Sequence, residues 1–195
     1  MAQGADTAGL LDELAPLARL AIAYAPASAR PLWTALLTLD HRLARAVNGA
    51  SSPLIGQLKL AWWRDRMRTG AAQWPPGEPL LAALTPFDRE RAALEALVDG
   101  WEGLIDEAPG EGAFERLAEA RGGAVAALAR VLACPADSQT ITTLARQWTR
   151  PGDRTRPARL PRLLRPLLIL ANLPRVDEAG PLTMLRIVRL GLFGR

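Results

Sequence analysis

Apolar residues recur along this chain at intervals of three and four, the spacing that places side chains on one face of an α-helix. The clearest example is a stretch whose apolar positions are Leu32, Leu36, Leu39, Leu43 and Val47. Residues that favour strands are sparse, and no stretch alternates between apolar and polar residues as a half-buried strand does. The pattern therefore predicts an all-α protein.

Capping residues, prolines and glycines set the expected helix boundaries. The sequence predicts a helix over 7–23 that is disturbed at Pro16, a helix from a Ser28 cap to Val47, and a helix from Ser52-Pro53 to Gly70. One face of the third helix is expected to carry Leu54, Leu58, Ala61, Trp62 and Asp65. Further helices are expected over 85–105, 111–133, 138–148, 162–173 and 182–190.

The sequence also predicts two loops and contains a glycine pair inside one predicted helix. Residues 74–79 and 150–157 read as loops, and Thr85 with Asp88 reads as a variant capping box. Gly122-Gly123 lies inside a predicted helix, where each glycine costs about 1 kcal/mol relative to alanine. The pair therefore predicts close approach of a neighbouring helix or of a ligand, and tight helix packing is the favoured interpretation. Because the loops are short, residues 1–195 are expected to form a single domain.

The composition excludes several classes of site. The chain has 195 residues, with one cysteine, Cys134, and one histidine, His41. A Cys/His zinc site, a disulfide framework and a Cys–His dyad within one chain are therefore excluded. No nucleophile motif surrounds His41.

Charge is distributed unevenly. The net charge is +4, but residues 145–195 carry eleven arginines against three acidic residues, a net +8. This basic region is either a solvated face or a surface for an acidic partner or an anionic membrane. Aromatic and basic residues do not interleave as in nucleic-acid binders, so no nucleic acid is expected. The acidic start and the lack of a long apolar stretch predict a cytoplasmic protein, with peripheral membrane contact through the C-terminal arginines as one hypothesis.

Residues 32–67, LWTALLTLDHRLARAVNGASSPLIGQLKLAWWRDRM, resemble the squalene/phytoene synthase family. The resemblance is to a divergent branch that includes an assembly factor for respiratory complex I. The tryptophan pair followed by Arg-Asp, at residues 62–65, is its most specific part. Residues 97–107, 119–132, 159–175 and 190–195 also match in order, so the resemblance covers residues 17–195.

The resemblance implies a shortened helical bundle of the isoprenoid synthase type, with a cavity between central helices. Active members of the family are implied to join two prenyl diphosphates head to head. Departure of diphosphate then requires Mg²⁺, which two aspartate-rich motifs on facing helices hold through carboxylate oxygens.

This chain departs from both motifs. By the match, the first motif falls on Ala44, Arg45 and Asn48, where no carboxylate is present. Asp40 lies one turn earlier and is either a remnant metal contact or the ion-pair partner of an arginine. The second motif is missing after residue 148, and Asp153 is left alone among arginines.

Five residues are candidates for lining the family's cavity: Asp40, Gln57, Trp62, Arg64 and Asp65. Each has a structural alternative. For Trp62, as for Trp63 and Trp101, the favoured interpretation is a core residue at helical spacing. For Arg64-Asp65 it is ion pairing across helices. Gln57 stands where the branch often has an acid, which further weakens a metal site.

The sequence thus indicates a catalytically degenerate family member. No catalytic residue, metal ligand or cofactor is assigned, and the expected role is binding of a lipid or isoprenoid, or assembly with a protein partner. The alternative is a residual prenyltransferase that uses a prenyl diphosphate and Mg²⁺, with carboxylates supplied by a partner subunit. A third hypothesis is a peripheral membrane scaffold that acts through the C-terminal arginines.

Overall fold

The computed structural model describes residues 3–106, 108–150 and 160–172. The helices of these residues are α1 (Gln3–Asp12), α2 (Pro16–Ala23), α3 (Arg30–Asn48), α4 (Pro53–Arg68), α5 (Pro79–Leu84), α6 (Arg91–Glu102), α7 (Glu111–Val131), α8 (Ser138–Thr149) and α9 (Arg165–Leu170). Short 3₁₀ turns occupy Ala71–Gln73, Thr85–Glu90 and Arg162–Leu164. No strand occurs in the described part of the chain, so the all-α prediction is confirmed.

Helix α3 is the central element. It contacts α1, α2, α4, α5, α6 and α7, while α6 and α8 pack on the two sides of α7. Burial follows from its sequence, because Leu36, Leu39 and Leu43 are buried on the apolar face predicted from their spacing. Trp33, which that pattern did not include, is fully buried as well. Thr38 is also buried, and its hydroxyl donates to the Leu10 carbonyl of α1 at 3.2 Å. Side chains on α3 are thus placed against most of the bundle.

Proline and capping chemistry determine the ends of the first helices. The helix expected over 7–23 is two helices, because Pro16 cannot continue α1 and instead occupies the first turn of α2. The expected Ser28 cap is wrong: α3 begins at Arg30, with Ala29 at the cap position and no side-chain cap. Helix α4 begins at Pro53 as expected. The hydroxyl of Ser52 makes no capping bond there.

The middle of the chain contains one helix that the sequence did not predict. Pro79 starts α5 instead of ending a loop, and the Glu78 side chain caps this helix by accepting from the Leu80 amide. The capping box expected at Thr85 is wrong. Asp88 instead accepts a hydrogen bond from the Ala71 amide at 2.7 Å, which fixes the preceding loop. The helix expected from Thr85 therefore starts as a 3₁₀ turn.

The tightest helix contact lies at a glycine other than the predicted pair. A Cβ on Gly100 of α6 would lie 3.0 Å from the Ala120 Cβ and 3.2 Å from the Leu117 Cα of α7. A Cβ on Gly122 would make only ordinary contacts at 3.6 Å with α8, and one on Gly123 would meet nothing within 4 Å. Close approach therefore explains Gly100 and not the Gly122-Gly123 pair.

The last described segment packs back on the bundle. Helix α9 contacts α2 and α8, and the predicted helix over 162–173 is a 3₁₀ turn followed by α9. Among the described residues, no helix combines the length and apolarity needed to cross a bilayer. The helix expected over 182–190 and most of the loop at 150–157 lie outside the described residues.

Candidate functional site

A groove of about 490 Å³ opens between the C-terminal half of α3 and the middle of α4. It is lined by Glu13, Arg42, Arg45, Ala46, Gly49, Lys59, Trp62 and Trp63. Its position follows from close helix contact below it, where Gly56 of α4 allows the Ala46 carbonyl of α3 to approach. The groove combines cationic side chains with indole rings, and it exposes a single carboxylate, Glu13.

The three positions that the resemblance assigns to the first aspartate-rich motif lie at or beside this groove. Arg45 is exposed and lines it, whereas Ala44 is partly buried and packs on the core. Asn48 is exposed at the end of α3 and is not among the lining residues. The groove thus presents a guanidinium from the helix stripe on which the resemblance implies carboxylates.

Arg42 organises the floor of the groove. Its guanidinium donates to both carboxylate oxygens of Glu13 at 2.9 and 2.7 Å, and to Glu78 at 2.7 Å. The hydrogen bond from Arg42 lowers the pKa of Glu13, and that from Glu13 raises the pKa of Arg42. Arg42 is therefore neutralised by its neighbours. Arg45 and Lys59 form no ion pair among the described residues, so they supply the groove's available positive charge.

Glu13→Gln is expected to lower the free energy of unfolding by about 1 kcal/mol at pH 7. The lowered pKa of Glu13 means that its ionised form stabilises the folded chain above the unfolded-state pKa. This contribution is lost as the pH falls through the lowered folded-state pKa. Urea unfolding of the wild type and of Glu13→Gln across pH 2–7 measures this contribution. The free energies of unfolding of the two proteins should become equal at the acid end of this range. A difference independent of pH would contradict this assignment.

Asp40 does not line the groove; it is buried in an ion pair. Arg121 of α7 donates to its two carboxylate oxygens at 3.0 and 2.9 Å, and the Trp101 indole donates to the same carboxylate at 2.9 Å. The expectation that Asp40 pairs with an arginine is confirmed. Its carboxylate oxygens are therefore already bound by three N–H donors.

Arg121 is held by aromatic rings as well as by charge. Its guanidinium carbon lies 5.0 Å from the Trp101 ring and 4.3 Å from the Trp148 ring, and it also donates to the Thr149 hydroxyl at 3.2 Å. Four helices, α3, α6, α7 and α8, thus meet in one network. Sequence reasoning missed Arg121, although an arginine on an otherwise Ala/Gly-rich buried helix face was the available signal.

The described residues do not fit the magnesium site that the resemblance implies. Ala44 has no ligand atom, Arg45 is a cation, and Asp40 is bonded by Arg121. Mg²⁺ requires oxygen ligands in octahedral geometry, usually including free carboxylates. No group of three or more metal-ligating side chains occurs in the described ranges. The second-motif remnant, Asp153, lies outside them.

The remaining cavity candidates, Gln57, Arg64 and Asp65, do not line the groove. Gln57 and Asp65 are exposed, and neither lines the groove. Arg64 pairs with Asp99 and Glu102 of α6 at 2.6 and 2.5 Å, as expected. The same expectation is wrong for Asp65, which forms no ion pair with another described residue. Of residues 62–65, Trp62 and Trp63 line the groove, whereas Arg64 and Asp65 do not.

The tryptophan pair divides between core and surface. Trp63 is 7% exposed and Trp62 is 41% exposed, with their rings edge to face at a centroid distance of 4.8 Å. The core interpretation is therefore correct for Trp63 and Trp101 but wrong for Trp62. The expected apolar face of α4 is likewise wrong, because Leu54 and Leu58 are exposed while Gly56, Leu60, Trp63 and Met67 are buried.

Comparison with known proteins gives one match. A sequence model of the squalene/phytoene synthase family matches residues 18–150, which is more than half of the chain. No curated protein and no solved structure matches it significantly. The matched range includes the groove residues of α3 and α4 and the Asp40–Arg121 pair.

Proposed function

The chain belongs to the squalene/phytoene synthase family, and from this premise we propose that it binds an anionic isoprenoid or lipid without magnesium-dependent prenyl transfer. The observation that carries the proposal is the placement of Arg45. A cation faces the groove from the α3 stripe, while the nearby carboxylate, Asp40, is bonded to Arg121. Such a groove attracts a diphosphate or phosphate directly and repels Mg²⁺.

The chemistry of the groove fits an amphiphilic ligand. Arg45 and Lys59 offer N–H donors to a negatively charged head group, and charge-assisted bonds of this kind are the strong ones. Trp62 and Trp63 offer apolar surface to the adjoining chain of the ligand. Binding of the ground state does not by itself accelerate a reaction, so the arrangement supports a carrier or sensor and not an enzyme.

Calorimetric titration with a non-hydrolysable farnesyl diphosphate analogue tests this proposal. We expect binding that is the same in Mg²⁺ and in EDTA, because the groove's own cations hold the head group. Arg45→Glu should weaken binding by roughly 10- to 100-fold, the equivalent of one lost charge-assisted hydrogen bond and a new repulsion. Arg89→Glu is the matched control, since Arg89 is exposed, lies outside the groove, and gives the same change in net charge.

Each other outcome selects a different hypothesis. Binding that requires Mg²⁺ would contradict the proposal and favour the residual prenyltransferase, with a metal site completed by residues outside the groove or by a partner subunit. Absence of binding in both conditions would also contradict it and would favour a role in protein assembly. Equal losses in Arg45→Glu and Arg89→Glu would show that net charge, and not the groove, governs the affinity.

A further inference from the structure

The outer face of α4 carries an apolar stripe, defined by four side chains that stay exposed in the folded chain: Leu54 (63%), Ile55 (38%), Leu58 (59%) and Trp62 (41%). They lie opposite the buried face of the same helix, which contains Leu60 and Met67. Exposure of such residues next to one another on a single helix is unusual for a soluble surface and marks an interaction site.

One edge of the α4 stripe is cationic. Lys59 and Arg66 of α4 lie between the stripe and the groove, and Arg45 of α3 lies on the opposite side of the groove. The Arg66 guanidinium carbon lies 5.8 Å from the Trp62 ring, and its Nε is buried without a hydrogen-bond partner. Within the described residues, none of these three cations has a carboxylate at ion-pair distance. Asp65 is the one acidic residue on the exposed side of α4.

The α4 stripe is small for a stable protein interface. Such interfaces use about 20–30 residues on each side, whereas the stripe offers four apolar side chains from one helix. A second copy of the chain placed on it would bring like cations together. A lipid bilayer needs no complementary shape and takes up a narrow row of apolar side chains beneath its head groups.

We propose that α4 docks this protein on an anionic membrane surface. Leu54 and Leu58 insert among the acyl chains near the interface, and Trp62 lies at the head-group level, where indole rings are favoured. Lys59 and Arg45 contact lipid phosphates, since cations beside an inserted face strengthen binding to anionic lipids. The inference goes beyond the proposed function, because it concerns a bilayer surface and not a ligand enclosed in the groove.

The location differs from the C-terminal arginines that the charge distribution suggests. The first arginines of that region are already paired, Arg146 with Glu115 at 3.0 Å and Arg150 with Glu111 at 2.7 Å. In addition, the large apolar side chains that are exposed among the described residues all lie on α4, and none lies on the helix of Arg146. A membrane face needs both features in one place, and α4 provides them.

Co-sedimentation of the full chain with vesicles tests this proposal. We expect binding to an equal mixture of phosphatidylcholine and phosphatidylserine, and little binding to phosphatidylcholine alone. Leu54→Ser combined with Leu58→Ser should weaken that binding by about tenfold or more, because two inserted apolar side chains are lost. Ala92→Ser combined with Ala96→Ser is the matched control, since both positions are exposed on α6 and carry a similar cost in helix propensity.

Circular dichroism should show all three proteins equally folded, because every substituted position is exposed. Failure of the wild-type chain to sediment with anionic vesicles would overturn the proposal. Equal binding of the α4 double variant and the wild type would also overturn it. So would equal binding of the wild type to vesicles with and without phosphatidylserine. A wild-type dimer that the α4 double variant converts to a monomer, without vesicle binding, would identify a second copy as the occupant. The groove titration uses no bilayer, so the two proposals can fail separately.

Discussion

Arg121→Met is expected to lower the free energy of unfolding by about 3–5 kcal/mol, the cost of leaving one member of a buried ion pair alone. Arg121 and Asp40 are 9% and 7% exposed, and two hydrogen bonds join them. Without the guanidinium, the Asp40 carboxylate keeps only the Trp101 indole as a donor. Urea unfolding followed by circular dichroism measures the loss.

Two further variants distinguish the cost of an unpaired buried charge from the cost of shortening the arginine side chain. Asp40→Leu combined with Arg121→Met should recover much of the stability, because no unpaired charge then remains in the core. Arg130→Met removes a similarly bidentate pair, to Glu90, on the surface, and should cost at most about 1 kcal/mol. Equal losses in Arg121→Met and Arg130→Met would refute the argument that burial makes the Asp40 pair important.

Trp33→Ala is the second substitution with a large expected effect, a loss of about 3–5 kcal/mol in the free energy of unfolding. Trp33 is fully buried on α3, and its indole donates to the Leu163 carbonyl at 2.7 Å. The substitution removes the largest fully buried side chain and also the bond that fastens residues 160–172 to the central helix. Thermal and urea unfolding should both report the loss.

A graded series distinguishes these two contributions. Trp33→Phe keeps most of the apolar volume but leaves the Leu163 carbonyl without its donor, so about 1–3 kcal/mol should be lost. Trp62→Ala is the surface comparison and should cost clearly less than Trp33→Ala, because that indole is 41% exposed. If Trp33→Phe were as damaging as Trp33→Ala, the hydrogen bond and not the packing would dominate.

The Asp40–Arg121 pair also bears on the proposal that this chain binds its ligand without magnesium. Asp40 is on the α3 stripe where the resemblance implies metal ligands, and its carboxylate is bonded across the bundle to α7. An ion pair needs no bound metal to hold α3 and α7 together. Asp40 can therefore join two helices while Arg45 offers its positive charge to the groove, and both roles agree with the proposed binding of an anionic ligand.

Local rules predicted much of the helix framework. Helix α4 begins at Pro53 and α8 begins at Ser138, as the capping and proline signals indicated. Those signals depend on residues adjacent in sequence, so they can be read without the fold. At Pro16 they marked a disturbance where the structure has a complete break between α1 and α2, and at Pro79 they missed the start of a helix. A proline can equally end one helix or start the next.

The orientation of α4 was not predictable from its own residues. Apolar residues occur on both sides of this helix, and the sequence alone favoured the face of Leu54 and Leu58. Contact with α3 and α6 buries Leu60 and Met67 instead, since Gly56 allows α3 to approach on that side. The error explains why the exposed α4 stripe could be found only in the structure.

The sequence by itself determined the all-α class, the family and the absence of carboxylates at Ala44 and Arg45, because each depends on local spacing or on residue identity. Only the tertiary structure decided the partners of the charged groups. Asp40 and Arg121 are 81 residues apart, and no local pattern links them. Chain folding brings such residues within hydrogen-bond distance. It equally decides that Arg45 faces the groove and that Trp62 is exposed while Trp63 is buried, because burial depends on which helices pack together.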